Sequence, residues 1–404
     1  MVGVVIVGAG QAGFQCADSL RQEGYEGPIT LIGEESHPPY QRPPLSKAYL
    51  LGDSDAERLK FRADDFYGQN GIDLKLSTGV AAFDRAAKTV ALGDGSGLAY
   101  DHLVLATGAR VRQIPVPGAD LDGVFYLKTL ADIDRIERRL ADAEHVAVVG
   151  AGFIGLEFAA VASKLGKKAT VFEAMDRVLA RVAPPMLSEF YAGVHQAHGV
   201  DIRCGAGVAE FAGKDGRIEA VVLADGGEVR CDLVVVGIGV IPNVELAEAA
   251  GIHCDNGIVV DDHGRTSDPA VYSAGDCAAY EHPFADARIR LESVQNAADQ
   301  ARSVAAAIVG KQKPYDAVPW FWSDQFDLKL QMAGLSQGSD QQVLRGDMES
   351  QRFSIFHFRD GTFRAIDAVN KGADYIMARK LLAAGAGPTP DQAADPDFPL
   401  KSLL

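Results

Sequence analysis

Two stretches of the sequence, Val5-Ile-Val-Gly-Ala-Gly-Gln-Ala-Gly13 and Val148-Val-Gly-Ala-Gly-Phe-Ile-Gly155, carry the same spacing of glycines. In each, a short apolar run typical of a buried parallel strand leads into G-x-G-x-x-G, and apolar residues then recur at helical spacing. This context is characteristic of a dinucleotide-binding turn, in which the first N–H groups of the helix face a pyrophosphate. A tight strand–helix corner without a ligand is the alternative for a single copy, but two complete copies favour two dinucleotide sites.

Each position of the two turns has its own physical role. The first glycine permits the sharp turn, the second leaves room for the pyrophosphate, and the third lets helix and strand pack closely. An acidic residue ends the next strand, where its carboxylate can accept hydrogen bonds from an adenosine ribose; in the second copy this favours NADH over NADPH. One site could hold a resident flavin and the other a visiting nicotinamide, which would place a hydride donor against an acceptor. The positions are Gly8, Gly10, Gly13 and Glu34 in the first copy and Gly150, Gly152, Gly155 and Glu173 in the second.

The composition narrows the class of protein. The chain of 404 residues has 39 basic and 55 acidic side chains, and its net charge of −16 argues against a general nucleic-acid-binding protein. No apolar run approaches the roughly 18 residues of a membrane span, and Met1 is followed by a strand rather than by a signal peptide. The five cysteines form no C-x-x-C pair, so neither a zinc site nor a redox pair is supported. We therefore expect a cytoplasmic protein without a metal site that acts on neither membranes nor nucleic acids.

The remaining motifs repeat in step with the two turns, which indicates two similar halves. His102-Leu-Val-Leu-Ala-Thr-Gly108 is typical of a buried strand ending in glycine, and Leu233-Val-Val-Val-Gly-Ile-Gly239 echoes it. From Pro319 the pattern changes to short strands with turns, then a helix, and the proline-containing tail is expected to be loosely ordered. The predicted fold class is α/β, with two Rossmann-like dinucleotide-binding domains, the second inserted in the first, plus a C-terminal α+β domain. The predicted boundaries are 1–110 and 240–318 for the first domain, 111–239 for the second and 319–404 for the third, with strands at 329–332, 342–344, 353–358 and 363–368 and a helix at 374–384.

Six short motifs in this order carry a resemblance to a known family. They are Arg42-Pro-Pro-Leu-Ser-Lys47, Ala106-Thr-Gly108, Gly152-Phe-Ile-Gly-Leu-Glu157, Gly275-Asp276-Cys277, Glu292-Ser-Val-Gln-Asn296 and Pro319-Trp-Phe-Trp-Ser-Asp324. The chain resembles the flavoproteins with two dinucleotide-binding domains, and it is most similar to NADH-dependent ferredoxin reductases of the putidaredoxin reductase type. The resemblance implies FAD in the first domain and NADH in the second.

The same resemblance implies which residues form the sites. Asp276 would accept hydrogen bonds from the ribityl hydroxyls, Lys47 would lie near the flavin ring, and Glu157 would face the nicotinamide and pair with Lys47. The implied FAD contacts are Gly8, Gly10, Ala12, Gly13, Glu34, Arg42, Lys47, Val80, Ala106, Arg110, Lys128, Gly275, Asp276, Val294 and Trp320. The implied NADH contacts are Gly150, Gly152, Phe153, Ile154, Gly155, Glu157, Glu173 and Gly239. The implied catalytic residues are Lys47, Glu157 and Trp320, the last sharing one face of an extended segment with Trp322.

The implied activity is transfer of a hydride from NADH to FAD and then of single electrons to a 2Fe-2S ferredoxin. Such a protein would serve a monooxygenase or a ring-hydroxylating dioxygenase. A rubredoxin reductase and an NADH-responsive interaction protein resembling apoptosis-inducing factor remain alternatives. A disulfide reductase is disfavoured, because residues 34–51 contain no cysteine to lie beside the flavin. His195 and His198 lack a third metal ligand nearby and are expected at the surface.

Overall fold

In the computed structural model, which describes residues 2–404, two largely parallel sheets each contain a strand that leads into one of the glycine turns. Met1, which the predicted first domain includes, lies outside the described residues. The mixed α/β architecture and the insertion of one dinucleotide-binding unit in the other confirm the predicted fold class.

The first segment of the chain builds most of one sheet. Its elements are β1 (Gly3–Val7), α1 (Gln11–Gln22), β2 (Ile29–Ile32), a 3-10 turn (Pro43–Ser46), α2 (Ala56–Leu59), α3 (Asp65–Gln69), β3 (Ile72–Lys75), β4 (Val80–Asp84), β5 (Thr89–Leu92), β6 (Gly97–Leu105) and β7 (Ala109–Val111).

The next segment begins with an additional strand and helix and then follows a similar order of elements. Its members are β8 (Val124–Tyr126), α4 (Leu130–Asp142), β9 (His145–Val149), α5 (Phe153–Lys164), β10 (Lys168–Glu173), α6 (Pro185–Ala197), β11 (Asp201–Cys204), β12 (Val208–Lys214), β13 (Arg217–Leu223), β14 (Glu228–Arg230), β15 (Leu233–Val236) and β16 (Val240–Pro242).

The chain then returns to the first sheet and ends in a separate antiparallel sheet. The returning elements are α7 (Glu245–Ala249), β17 (Ile258–Val259), β18 (Val271–Ser273), β19 (Ala278–Glu281), β20 (Arg288–Ile289) and α8 (Val294–Ile308). The last ones are β21 (Trp320–Gln325), β22 (Leu328–Gly334), β23 (Gln341–Asp347), β24 (Arg352–Arg359), β25 (Thr362–Val369), α9 (Gly372–Ala383), α10 (Pro390–Ala394) and a 3-10 turn (Leu400–Leu403).

The two parallel sheets have matching topology. In the first sheet, β3, β2, β1 and β6 lie side by side in parallel, β18 pairs with β6 in parallel, and β4 and β5 extend it as an antiparallel meander. In the second sheet, β11, β10, β9, β15 and β8 are all parallel, and β12, β13 and β14 form the corresponding meander. Because β18 rejoins β6 only after the whole second sheet has been built, the second unit is inserted in the first.

A short antiparallel ribbon of β7 and β16 joins the two crossing points of the chain. Val111 lies opposite Val240, and Ala109 lies opposite Pro242. The predicted boundaries near residues 110 and 240 fall within this ribbon. They stay predictions, since the ribbon belongs to both units equally.

Apolar strands buried on both faces explain why these sheets form. Every residue of β1 and β15 is buried, as expected for parallel strands covered on both sides. The helices α1 and α8 pack together over the first sheet, where small side chains such as Ala17, Ala301 and Ala305 allow close approach. This packing brings the start of α1 and the start of α8 to the carboxyl ends of the strands, where such sheets bind ligands.

The C-terminal sheet has the order β21-β22-β25-β24-β23, with α9 packed against β25 and β22. The predicted strands and helix of this region are confirmed, with each observed element within a few residues of its expected bounds. The alternating pattern and the Asp360-Gly361 turn made these elements readable from the sequence, with Asp360 and Gly361 both at positive φ.

The expectation of a loosely ordered tail was wrong. Arg345 on β23 donates hydrogen bonds to the carbonyl oxygens of Asp395, Pro396 (2.9 Å) and Phe398 (3.0 Å). Leu400 is buried beyond them. One guanidinium therefore holds several carbonyls of a segment that has little regular structure of its own.

The expectation that His195 lies at the surface was also wrong. His195 on α6 is fully buried, because β21 and the following turn cover that face of the helix. Its Nε2 lies 2.9 Å from Oε1 of Gln325, and its ring packs against Phe326. His198, one turn further, is exposed as expected and stacks on the other side of Phe326. Burial lowers the pKa of His195 to about 4.

The buried neutral His195 makes the stability of the protein dependent on acid. In the unfolded chain a histidine has a pKa near ~6.5, so the unfolded state takes up a proton that the folded state refuses. The stabilisation is complete above that pKa and is lost as the pH falls towards about 4. We expect His195→Asn, which keeps a donor for Gln325, to lose less thermal stability than the parent between pH 7.5 and pH 5. Melting temperatures at the two pH values test this, and equal losses in both proteins would contradict it. Burial also lowers the pKa of His282 to about 4, so the variant should still lose some stability as the pH falls.

Candidate cofactor sites

The first glycine turn leaves a space shaped for an anion. The helix α1 begins after Gly10 without a side-chain cap and without an acidic residue in its first turn, so its leading N–H groups and partial positive charge are free for a phosphate. A Cβ at Gly13 would lie 1.8 Å from the carbonyl oxygen of Gly8, which shows why helix and strand need glycine there. A Cβ at Gly10 would have no described atom within 4 Å, so the open side of the turn is a cradle that a side chain would fill.

The second turn reproduces this geometry. The helix α5 begins after Gly152, again without a side-chain cap or an acidic residue in the first turn. A Cβ at Gly155 would lie 2.1 Å from the oxygen of Gly150, and one at Gly152 would meet no described atom within 4 Å. Gly150 has φ +102 and approaches Gly237 at the end of β15.

The acidic residue of the second copy is held beside its turn. The carboxylate of Glu173 accepts hydrogen bonds from the backbone N–H of Ala151 (2.8 Å) and of Met175 (2.9 Å). Its remaining acceptor positions are available to a sugar hydroxyl, as predicted for an adenosine ribose.

Arg177 is directed away from this carboxylate. Its guanidinium donates to the carbonyls of Ala180 and Ala183, both at 2.8 Å, and to the hydroxyl of Ser188 at 2.6 Å. Three of the five N–H groups of Arg177 are used by these partners, which hold the guanidinium in the loop between β10 and α6. The surroundings of Glu173 therefore favour a free ribose hydroxyl.

The predicted residues of the first site converge from four separate segments. Gly8 lies against Ala106 at the end of β6, and Gly275 lies against Ala12, with their Cβ positions 2.1 Å from the Ala106 oxygen and 3.0 Å from the Ala12 Cβ. Asp276, the next residue, has a carboxylate oxygen 3.8 Å from Nζ of Lys128. The turn, the strand ends and the segment before α4 therefore meet at one place.

Two charges of opposite sign share this place. Burial lowers the pKa of Lys128, which the carboxylate of Asp276 partly offsets, and burial raises the pKa of Asp276. The two side chains are half-buried and form a long ion pair, with 3.8 Å between Nζ and the nearest carboxylate oxygen. A polar ligand between them would supply the hydrogen bonds that their confinement demands.

Arg42 is fixed by residues that the sequence did not reveal. Its guanidinium donates to a carboxylate oxygen of Glu35 at 2.5 Å and to the carbonyl of Lys128 at 2.8 Å. The hydroxyl of Tyr40 donates to the other oxygen of Glu35 (2.6 Å) and accepts from the N–H of Leu130 (3.0 Å). Only the proximity of Glu35 and Tyr40 to Arg42 in the chain could have indicated this network.

The expected ion pair between Lys47 and Glu157 is present and joins the two units. Nζ of Lys47 lies 2.5 Å from Oε2 of Glu157, and the hydroxyl of Ser46 donates to the same oxygen at 2.7 Å. Glu157 is only 4% exposed, so this carboxylate is nearly dry. A third donor, the hydroxyl of Ser323 on β21, binds Oε1 at 2.7 Å.

The two tryptophans lie on one face of β21, as predicted. Their ring centroids are 5.6 Å apart. The backbone N–H of Trp320 donates to Oε1 of Gln295 (3.2 Å), which directly follows Val294 at the start of α8. The guanidinium of Arg379 on α9 lies over the Trp320 ring. Trp320 therefore stands where the C-terminal sheet meets the first sheet.

Four predicted contacts lie at the margins of this arrangement. The side chain of Arg110 is 49% exposed, and its partner in the chain is Glu245 at 2.7 Å. Glu34 is exposed, and its carboxylate approaches the backbone beside Val80. Ile154 is 47% exposed at the start of α5. Gly239, with φ +103, approaches the guanidinium of Arg181 rather than the second turn itself.

Within residues 2–404, the one group of side chains with metal-binding spacing is Asp261, Asp262 and His263, on a turn that contains no predicted site residue. In the same part of the chain, no helix is both long enough and apolar enough to cross a membrane.

Comparison with known proteins places this geometry in a family. Residues 2–301 match the pyridine nucleotide-disulphide oxidoreductases, and residues 320–404 match the C-terminal domain of reductases. The chain belongs to the pyridine nucleotide-disulphide oxidoreductase family. All five cysteines are free, and none lies within residues 34–51.

Three relatives indicate how far the similarity extends. The chain is 49% identical to rhodocoxin reductase of Rhodococcus erythropolis over 99% of its own length and 94% of that protein. It is 39% identical to a rubredoxin-NAD(+) reductase of Pseudomonas putida over 91% of this chain and 95% of that one. It superimposes on putidaredoxin reductase, solved as a covalent complex with putidaredoxin, with a TM-score of 0.96 and 42% identity over 99% of this chain and 97% of that one. The resemblance that the six motifs indicated is confirmed along the chain.

The two glycines of the second turn provide a matched test of the site. We expect Gly152→Ala to weaken pyridine nucleotide binding by roughly tenfold or more while leaving the melting temperature unchanged, because its Cβ would fill only the open cradle. Gly155→Ala places its Cβ against the oxygen of Gly150 and should lower stability by about 1–3 kcal/mol. Calorimetric titration with NAD⁺ and thermal melts of both variants separate these effects. Unchanged nucleotide affinity in Gly152→Ala would show that the ligand does not enter this turn.

Proposed function

We propose that this protein is an NADH-dependent ferredoxin reductase with FAD in the first site and NADH in the second. The observation that carries the proposal is the Lys47–Glu157 ion pair, which links the end of the 3-10 turn Pro43–Ser46 to the helix that begins at the second glycine turn. By this proposal, the ligands of the two turns approach each other at this ion pair. Two uncapped helices, each with an open glycine position, supply the two phosphate sites.

The residues of the first site fit FAD by their chemistry. The N-terminus of α1 and the cations Arg42 and Lys128 suit a pyrophosphate, and the half-buried carboxylate of Asp276 suits the ribityl hydroxyls. When bound, FAD accepts a hydride from NADH and releases electrons one at a time. The chain would hold this group with the residues that the resemblance implies, from Gly8 to Trp320.

Lys47 and Glu157 supply electrostatics and orientation rather than proton transfer. Lys47 is a cation at the boundary of the two sites, and it is held there by a buried carboxylate that cannot reorient freely. A fixed cation stabilises negative charge that develops beside it without any reorganisation of solvent. No general base is required, because hydride transfer depends on the distance and alignment of the reacting groups.

The second site favours NADH. Glu173 is held beside the turn by two backbone donors, and the guanidinium of Arg177 is engaged elsewhere. A 2′-phosphate would therefore meet a carboxylate without a compensating cation from Arg177.

The acceptor in this proposal is a 2Fe-2S ferredoxin that serves a monooxygenase or a ring-hydroxylating dioxygenase. The names of the similar proteins support an electron carrier of this kind, and the Trp320–Trp322 pair beside α8 gives a place for it to approach. Because one similar protein is a rubredoxin reductase, rubredoxin is the second candidate acceptor. We place the activity in the cytoplasm, where unpaired thiols such as these five remain reduced.

Replacing Glu157 tests the nicotinamide side of the proposal. We expect Glu157→Ala to raise the KM for NADH by about tenfold or more, because a charged group that orients the ligand and Lys47 is lost. The FAD content per chain should stay that of the parent, since the residues expected to hold FAD are unchanged. Glu189→Ala, at an exposed position of α6, is the control. Loss of FAD in Glu157→Ala, with the affinity for NAD⁺ unchanged by calorimetry, would contradict this placement.

The acceptor is tested by measuring NADH-driven reduction of a 2Fe-2S ferredoxin and of a rubredoxin side by side. We expect the purified protein to be yellow, to be reduced by NADH, and to reduce the ferredoxin faster. A higher rate with rubredoxin would assign the protein to rubredoxin reductases. Turnover of only a few per minute with both would favour an interaction protein resembling apoptosis-inducing factor, and a colourless protein that takes up no flavin would overturn the proposal.

A further inference from the structure

The strand β21 presents two different faces to the rest of the molecule. Trp320 and Trp322 share one face, while Phe321, Ser323 and Gln325 alternate with them on the other. The second face lies against the helices of the second sheet. The ring centroid of Phe321 is 4.8 Å from that of Phe153, the first residue of α5. The C-terminal sheet therefore touches the region next to the second glycine turn.

A continuous line of buried hydrogen bonds runs along this second face. Nε2 of Gln325 donates to the hydroxyl oxygen of Ser323 at 3.1 Å, and that hydroxyl donates to Oε1 of Glu157 at 2.7 Å. Oε1 of Gln325 faces Nε2 of His195 at 2.9 Å. All of these side chains are buried.

The direction of each hydrogen bond in this line is determined. The carboxylate of Glu157 can only accept, so Ser323 must donate to it and accept from the amide of Gln325. The amide oxygen of Gln325 then faces His195, so Nε2 of the imidazole carries the proton. Nδ1 of His195 has no hydrogen-bond partner among the described residues, which agrees with a neutral ring of this tautomer. Every donor therefore points towards Glu157.

We propose that Ser323, held in place by Gln325 and His195, is a positioning residue for the carboxylate of Glu157, and that the C-terminal sheet thereby completes the nicotinamide side of the reaction centre. This inference rests on the proposed function. Ser46 and Lys47 bind one oxygen of Glu157, and Ser323 alone among the described side chains binds the other. Two anchored oxygens fix the plane of the carboxylate, whereas one anchored oxygen leaves it free to rotate.

Loss of the Ser323 hydroxyl would have two effects, one on the position of the Glu157 carboxylate and one on the reduction potential of the bound flavin. The carboxylate would lose one donor in a nearly dry place, and a buried charge with an unmet acceptor seeks another arrangement. Its rotation would misplace both itself and Lys47 with respect to a bound nicotinamide. The field of the carboxylate would also be less compensated, which disfavours an electron-rich neighbour and lowers the reduction potential of the bound flavin.

The experiment compares three serine variants of the FAD-loaded full chain. Ser323→Ala removes the hydroxyl, Ser323→Thr keeps it, and Ser354→Ala removes another fully buried hydroxyl of the same sheet, one that binds Asp374 on α9 at 3.1 Å and makes no contact with Glu157. The measured quantities are the dissociation constant of NAD⁺ by calorimetry, the KM and kcat for NADH with ferricyanide as acceptor, and the midpoint potential of the flavin.

We expect Ser323→Ala to raise the NAD⁺ dissociation constant and the KM for NADH about tenfold, the size of effect that one hydrogen bond to a charged group carries. Its flavin potential should fall below that of the parent. Ser323→Thr should return all three quantities to within about twofold of the parent, and Ser354→Ala should leave them unchanged.

Two results would contradict either the role of Ser323 or the proposed function. If Ser323→Ala matched Ser354→Ala in nucleotide affinity and potential, Ser323 would be a structural residue and the inference would be wrong, while the proposed function would stand. If the parent bound flavin but did not oxidise NADH, the proposed function would fail, and the NAD⁺ titrations would still decide the role of Ser323. Should Ser323→Ala not retain FAD, Gln325→Leu, which removes the donor to Ser323, must show the same shifts in smaller measure or the inference fails.

Discussion

The nearly dry carboxylate of Glu157 is the constraint on which the arrangement of the whole chain depends. A charge removed from water must be matched by donors, and here three donors come from two regions: Ser46 and Lys47 before α2, and Ser323 on β21. Neither region is close to Glu157 in sequence. Removing either would leave a buried charge without its full set of partners, so the ion pair requires the two parallel sheets and the C-terminal sheet to be assembled together.

Both glycine turns leave the N-terminus of a helix open to a ligand. Each helix begins with N–H groups that no side chain satisfies, and each turn keeps one glycine position open towards the missing partner. An uncapped helix end is costly unless something binds it. The matching order of strands in the two sheets shows that the second unit repeats the first, and the ribbon of β7 and β16 marks where it is inserted.

How much could be predicted from the sequence differs between local and long-range features. The turns, the two-sheet architecture and the strands after residue 319 follow from short patterns, because glycine spacing, apolar periodicity and turn residues act over a few positions. The burial of His195 and the order of the tail depend on partners far away, Gln325 and Arg345, and no local signal records them. The same holds for Glu35 and Tyr40, whose roles appear only when Arg42 is placed against Lys128. Individual site residues came from resemblance to a family, which transfers positions but not the hydrogen bonds that support them.

The grip of Arg345 on the last segment has a consequence for relatives of different length. Its guanidinium is buried beside the carboxylate of Asp374 (Nε to Oδ2, 3.6 Å), and in the last segment its hydrogen-bond acceptors are main-chain oxygens rather than particular side chains. The residues of the tail can therefore be substituted without losing these hydrogen bonds, provided that the backbone keeps its course. Shortening the tail would remove the main-chain acceptors of Arg345 and leave its buried guanidinium with Asp374 as its ion-pair partner. Among homologous proteins, the length of this terminus and the presence of the arginine on β23 should therefore change together, even where the residues between them differ.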